Sequence, residues 1–237
     1  KNPQNNWINR RSLLVDYMNT FEADIIGVQE AFYIQLNYIV SNLEPQYGYC
    51  GIAREDGAFL SEFAAILYRK DKFQVMDTGT FWLASNPSVP VKTWNSSYTR
   101  ICTWVRLQHI PSKKQFFVFC AHFDFKTETK TEAAKLIQDV VANYTGSLPV
   151  FLMGDFNTRI VEPTFKYLDG YGSKPLNDSY RSVHGEPVPQ DYSFSYWNSS
   201  YVPSDDRRID FIFISDNIKA QNISIPKDGY GDSLTYS

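Results

Sequence analysis

The chain has 237 residues, 43% of them hydrophobic, and its 17 Phe and 16 Tyr give ample material for a large core. A formal charge of -3 and a sequence pI near 5.6 exclude a broad basic surface for gripping duplex nucleic acid, so an anionic substrate needs local help, most simply a bound cation. No apolar run approaches membrane-spanning length, and no internal repeat, long Gly/Ser linker or block of like charge divides the sequence, which is therefore expected to be one domain over residues 1–237, acting as a monomer.

In chain order, Leu13, Leu14, Tyr17, Met18 and Phe21 recur at helical spacing and predict an amphipathic helix over 10–23. The run 24–29 predicts a short buried strand with Glu30 where it ends. A second helix follows, with Leu36, Ile39, Val40 and Leu43 as its apolar stripe and Pro45 beyond its end. From Tyr47 the texture is β: runs at 49–53, 63–68, 73–77, 99–107 and 116–121 are aromatic or β-branched, separated by Gly, Pro, Asn and Ser. A third helix over 130–144 presents Ala133, Leu136, Ile137, Val140, Val141 and Tyr144 on one face.

That helix leads into Val150 to Met153, a continuous apolar run bounded by Pro149 and Gly154, which reads as a central strand buried on both faces. Asp155 and Asn157 follow at a spacing of two, so in an extended segment their side chains leave on the same side. Alternatively the segment is a strand followed by an Asx turn. A last strand spans 209–215, after Arg207-Arg208. Many strands in succession, with helices early and between them, predict two largely antiparallel sheets packed together with helices outside.

Cys50, Cys102 and Cys120 fit no zinc or disulfide pattern and are expected to be small core residues. Five Asn-x-Ser/Thr sequons begin at Asn95, Asn143, Asn177, Asn198 and Asn222 and lean slightly toward an exported or periplasmic protein over a cytoplasmic one. Trp94, Tyr98 and Trp197 are candidates for stacking on a base or for ordinary packing.

Polar residues stand at the strand ends: Glu30, His122, Asp155, Asn157 and Asp210 each follow or interrupt an apolar run. Singly, each has a structural explanation. Glu30 can cap a helix, His122 can be a core histidine, and Asp210 can pair with Arg208 two residues away. Together, a carboxylate that orients or deprotonates water and an amide that donates to a phosphoryl oxygen suit phosphate-ester chemistry. Arg100 shares a strand face with Cys102 and Trp104 and needs a partner: a carboxylate such as Asp56 or Glu62, or a substrate phosphate beside a metal.

Gln29-Glu30, Ala121-His122-Phe123-Asp124, Gly154-Asp155-Phe156-Asn157 and Arg208-Ile209-Asp210-Phe211 resemble, in order, the motifs of the endonuclease/exonuclease/phosphatase superfamily, over nearly the whole chain. Thr80-Phe81-Trp82-Leu83, the segment 99–104 and Trp7-Ile8-Asn9-Arg10 look like a bacterial-type subgroup with undefined substrates. The resemblance implies an α+β fold, a four-layer α/β/β/α sandwich of two mostly antiparallel sheets flanked by helices, with the site where strand ends of both sheets meet. It further implies that Glu30 holds Mg2+ or Mn2+, that His122 and Asn157 contact the scissile phosphate, that Asp155 orients or deprotonates water, and that Asp210 buttresses a histidine.

The family pattern also has an asparagine on a first strand upstream of Arg10 and Ser-Asp-His near the C-terminus. Neither lies between Lys1 and Ser237, so the sequence is expected to lack that strand and the terminal Asp-His; Ala121 stands where the family more often has threonine. The expected function is divalent-metal-dependent hydrolysis of a phosphodiester or phosphomonoester by in-line attack of water, with a phosphorylated small molecule or single-stranded nucleic acid as substrate and Arg100 as a substrate ligand. The alternative is a non-catalytic protein that binds a phosphorylated ligand on the same scaffold.

Overall fold

The computed structural model describes residues 6–186, 191–194 and 207–226, together with two short strands at Gly229–Tyr230 and Leu234–Thr235. Two sheets carry the architecture. Strands β1 (Ile25–Phe32), β2 (Tyr47–Cys50) and β3 (Glu62–Arg69) form an antiparallel sheet in the order β1-β3-β2. Strands β4 (Phe73–Trp82), β5 (Ile101–His109), β6 (Gln115–His122), β7 (Val150–Asp155), β8 (Leu176–Asp178) and β9 (Asp210–Ser215) form the second, in the order β4-β5-β6-β7-β9-β8. Only β6 and β7 run parallel, and helix α3 (Thr127–Tyr144) makes the crossover between them.

Period-two alternation sorts the core into layers. On β3, Phe63, Ala65 and Leu67 pack with Val15 of α1 (Trp7–Phe21) and with Leu36 and Ile39 of α2 (Tyr33–Asn42). Ala64 and Ile66, pointing the other way, meet Val105, Leu107, Val118 and Cys120 of the second sheet. The far face of that sheet presents Phe117, Phe119, Ala121 and Leu152 to Ala133, Ile137 and Val141 of α3, which recur every four residues. The layers are thus helix, sheet, sheet, helix, and each fully buried large side chain contributes roughly 1.5–3 kcal/mol. All three cysteines are free and buried.

The elements extend beyond their predicted bounds at several ends, and three local expectations are corrected. α1 begins at Trp7 rather than Arg10; its buried residue is Val15, whereas Phe21 is exposed at the last turn, where Glu22 in the left-handed region ends the helix. Tyr144 of α3 is likewise exposed and packs edge-on against Trp104. Glu30 lies inside β1 rather than at its end, on a bulge between Gln29 and Ala31 with φ 61°. The bulge takes its side chain out of the alternation that would otherwise pack it.

Gly154 fixes the approach of β7 to β6. Its φ is 146°, and a Cβ there would stand 2.0 Å from the Ala121 carbonyl oxygen, so no other residue fits without moving a strand. This contact sets His122 and Asp155 side by side, since the two are register partners at the ends of their strands.

Candidate active site

The strand ends of both sheets converge on His122. Its ring is 4% exposed; Nε2 lies 3.7 Å from a Glu30 oxygen and 3.7 Å from Asp155 Oδ2, and Nδ1 lies 4.0 Å from Glu62 Oε2. Asp210 opens β9 as the register partner of Asp155. Glu30, His122, Asp155, Asn157 and Asp210, predicted from strand ends, are therefore neighbours.

Of the two geometries the sequence offers, extended or Asx turn, Asn157 takes the second. Its φ is 45°, so the chain is not extended and a spacing of two does not put the two side chains on one face. Instead Asp155 Oδ1 accepts the Asn157 backbone N–H at 2.8 Å, an Asx turn, and Asn157 Nδ2 donates to the Phe123 carbonyl at 2.9 Å. Lys130, buried on α3, donates to the Asn157 carbonyl at 2.6 Å and to Glu162 Oε2 at 2.5 Å. The turn and the polar site are one structure.

The other two pairings offered by the sequence are replaced. Arg208 donates bidentately to Asp178 at 3.0 and 2.6 Å, and Asp178 also accepts the Tyr180 N–H as cap of α5 (Ser179–His184). This ion pair ties β9 to β8, and the Asp210 backbone N–H is bonded to Ser193 Oγ. Asp56 closes its own turn by accepting the N–H groups of Ala58 and Leu60, and Glu62 pairs with Arg54 at 2.5 Å. Arg100 meets neither carboxylate. Its Nη1 sits 2.7 Å from Nδ1 and 2.8 Å from Nε2 of His122, donating to whichever nitrogen lacks a proton.

Arg54 and the site position of Glu62 are the residues that sequence reasoning missed. Glu62 stands immediately before the apolar run 63–67, the same strand-end signal that singled out Glu30. Arg54 lies in the irregular segment after β2 and carries no periodic signal.

The electrostatics follow from this crowding. Burial, then the Arg100 and Arg54 guanidiniums, hold His122 well below the ordinary histidine value, so the ring is neutral near pH 7. Burial raises the Glu62 carboxyl, with Arg54 opposing and Glu30 adding to the rise. Burial and then the Asp210 charge raise Asp155, against the Asn157 N–H that lowers it. Asp210 lies on an exposed stretch of strand, yet desolvation of its carboxyl raises it too, with Glu30 adding to the rise.

Carboxylates held against one another suit a hard cation. Oxygens of Glu30 and Glu62 and a ring nitrogen of His122 lie within 4.8 Å of one another. Glu62 Oε2 is buried and takes no aligned hydrogen bond among the described residues, although Arg54 is near. His122 is the weakest member of the triangle, because Arg100 already crowds its ring with positive charge. The donor set that fits Mg2+ or Mn2+ is the carboxylate pair.

No helix among the described residues is long and apolar enough to cross a membrane. Trp197 and the sequon at Asn198 lie outside the described residues.

Residues 1–229 match the model of the endonuclease/exonuclease/phosphatase family. Among solved structures, the chain is 30% identical to a mannosyl-6-phosphatase from Bacteroides thetaiotaomicron, with a TM-score of 0.86, covering 94% of this chain and 83% of that one. It is 31% identical to an endonuclease/exonuclease/phosphatase from Bacteroides vulgatus, with a TM-score of 0.82, covering 90% of this chain and 81% of that one. Among curated proteins it is 24% identical to Drosophila melanogaster Nocturnin over 191 residues, 75% of this chain, and 28% identical to the uncharacterized protein L388 of Acanthamoeba polyphaga mimivirus over 160 residues, 64% of this chain. The matched regions span 28% and 59% of the lengths of those two relatives, respectively. With both sheets, the strand-end cluster and the family model in agreement, the chain belongs to the endonuclease/exonuclease/phosphatase family.

Proposed function

We propose that this protein hydrolyses a phosphoester with the help of Mg2+ or Mn2+ held by Glu30 and Glu62. The observation that carries the reading is the placement of three carboxylates, from Glu30, Glu62 and Asp155, within 4.0 Å of one neutral histidine at the strand ends. A bound divalent cation supplies charge neutralisation at the phosphoryl oxygens. Asp155 orients the attacking water and takes its proton. Burial and the Asp210 charge raise its carboxyl to about 8, so it takes the proton once a bound cation offsets the neighbouring negative charge. A new P–O bond forms as the ester P–O bond breaks on the opposite side, the leaving oxygen takes a proton from solvent, and Asp155 returns the one it took to solvent.

His122 donates its remaining ring N–H to a phosphoryl oxygen. Asn157, with one amide hydrogen engaged by the Phe123 carbonyl, offers the other to a phosphoryl oxygen. Phosphoryl transfer depends chiefly on such positioning and charge stabilisation. Asp210 lies across the strand ladder from Asp155, and its charge raises the proton affinity of Asp155. The substrate is a phosphorylated small molecule or a single-stranded nucleic acid, and the mannosyl-6-phosphatase relative favours a sugar phosphate.

The test is hydrolysis of a panel of nucleotides, sugar phosphates, inositol phosphates, phospholipids and single-stranded nucleic acids with Mg2+ or Mn2+, each with and without chelator. Chelator-sensitive release of product from at least one class is expected. Hydrolysis of none, or equal hydrolysis with chelator, contradicts the reading.

A further inference from the structure

Arg54 and Arg100 are both more than nine-tenths buried, at 7% and 4% exposure, and they lie beside the proposed metal carboxylates. Burial and then the Arg54 charge lower the Arg100 guanidinium, with the Asp124, Glu62 and Asp155 carboxylates opposing. Arg100 makes no ion pair with a carboxylate among the described residues, and its one polar contact is a neutral histidine ring. The Nε–H groups of both arginines are buried without a hydrogen-bond acceptor among the described residues. Arg54 is balanced by Glu62 at 2.5 Å, which leaves Arg100 as the buried guanidinium without a carboxylate at ion-pair distance among the described residues, and such a charge is costly until an anion stands beside it.

Their surroundings are built rather than incidental. The Tyr98 ring lies 5.2 Å from the Arg54 guanidinium and 5.4 Å from that of Arg100, and Phe125 lies 5.4 Å from Arg100 on the other loop. Both rings remain about half exposed, at 48% and 58%. Asp124 locks the two loops together by accepting the backbone N–H groups of Ser97, Tyr98, Phe125 and Lys126. Arg54 is fixed through its backbone, which donates to the Glu62 carbonyl at 3.0 Å and accepts Trp82 Nε1–H at 2.7 Å.

From this geometry we propose that Arg54 and Arg100 form a two-guanidinium receptor for the dianionic phosphate of a phosphomonoester, walled by Tyr98 and Phe125, so that the enzyme prefers monoesters to diesters. The assignment rests on the phosphoesterase reading and narrows its substrate class. A monoester phosphate presents three non-bridging oxygens and close to two negative charges, which two planar donor forks can match. A diester brings one charge and a second organic substituent toward a buried pair of cations that it cannot neutralise. The exposed rings then take the group esterified to the phosphate.

The test compares p-nitrophenyl phosphate with bis(p-nitrophenyl) phosphate in Mn2+, and separately titrates Mn2+ and then inorganic phosphate into the full chain by calorimetry. Wild type is expected to show kcat/KM at least about tenfold higher for the monoester. Arg54→Met and Arg100→Met are expected to lower the monoester-to-diester ratio by about tenfold or more and to weaken inorganic phosphate binding by a similar factor, without weakening Mn2+ binding. Arg54→Lys and Arg100→Lys keep the charge and serve as folded controls with intermediate loss. A wild-type preference for the diester overturns the proposal, as does an unchanged ratio or unchanged phosphate affinity in both Met and Lys variants. Hydrolysis of neither ester counts against the phosphoesterase reading, and the phosphate titration then decides the arginine pair by itself.

Discussion

Asp155 and Asp210 face each other as register partners across the β7–β9 ladder, two carboxylates at the end of a ladder whose other pairs carry no polar side chain. Like charges directly opposite on neighbouring strands destabilise a sheet. Burial and then the Asp210 charge raise the proton affinity of Asp155, while burial and the Glu30 charge raise that of Asp210.

The sign of the resulting pH dependence is fixed. A carboxyl raised above its unfolded value of about 3.9 binds more protons in the folded state, so stability falls as pH rises from about 4 through the raised values. Asp155→Asn keeps an acceptor for the Asn157 N–H and removes the charge. In chelator at pH 7 the variant is expected to be more stable than wild type by about 1 kcal/mol or more, while losing turnover. Thermal unfolding followed by circular dichroism measures this, and an unchanged or lower melting temperature refutes it.

Glu62 separates a metal ligand from an anchor for Arg54. Glu62→Gln keeps the volume, removes the charge and is expected to weaken Mn2+ binding about tenfold or more. Arg54→Met breaks the same ion pair from the other side and is expected to leave Mn2+ binding intact or tighter. If calorimetry gives equal Mn2+ affinity for wild type and Glu62→Gln, the residue is only an anchor.

Lys130 sits behind the site and holds the left-handed Asn157 through its carbonyl. Lys130→Met leaves that carbonyl without its donor and the partly buried Glu162 with Arg159 as its remaining cation, and a stability loss of about 1–3 kcal/mol is expected. The kcat is expected to fall about tenfold with little change in KM, because Asn157 moves while the arginines do not. A stability loss with unchanged kcat confines Lys130 to the scaffold.

The fold was legible wherever packing imposes a pattern. Phe117, Phe119 and Ala121 meet α3 while Val118 and Cys120 meet the first sheet, and burial of both faces is why the run 116–121 is apolar throughout and reads as a strand. The bulge at Glu30 could not be read, because it depends on how β1 registers with β3. The sequence left the Asp155–Asn157 relationship open between an extended segment and an Asx turn, since the positive φ that decides for the turn leaves no trace beyond the residue type. Glu62 carried the strand-end signal but was spent on an ion pair with Arg100. Arg54 was invisible, since its place is set by Trp82 and Glu62 across a loop.

In the proposed function Glu30 helps hold the cation on which turnover depends. The direct measurement is the rate of phosphoester hydrolysis against Mn2+ concentration for wild type and Glu30→Gln, with unfolding curves for both. Wild type is expected to be inactive in chelator and to saturate with Mn2+, while Glu30→Gln loses about a hundredfold or more with stability changed by no more than about 1 kcal/mol. Hydrolysis by Glu30→Gln at the wild-type rate across the same Mn2+ range would contradict it.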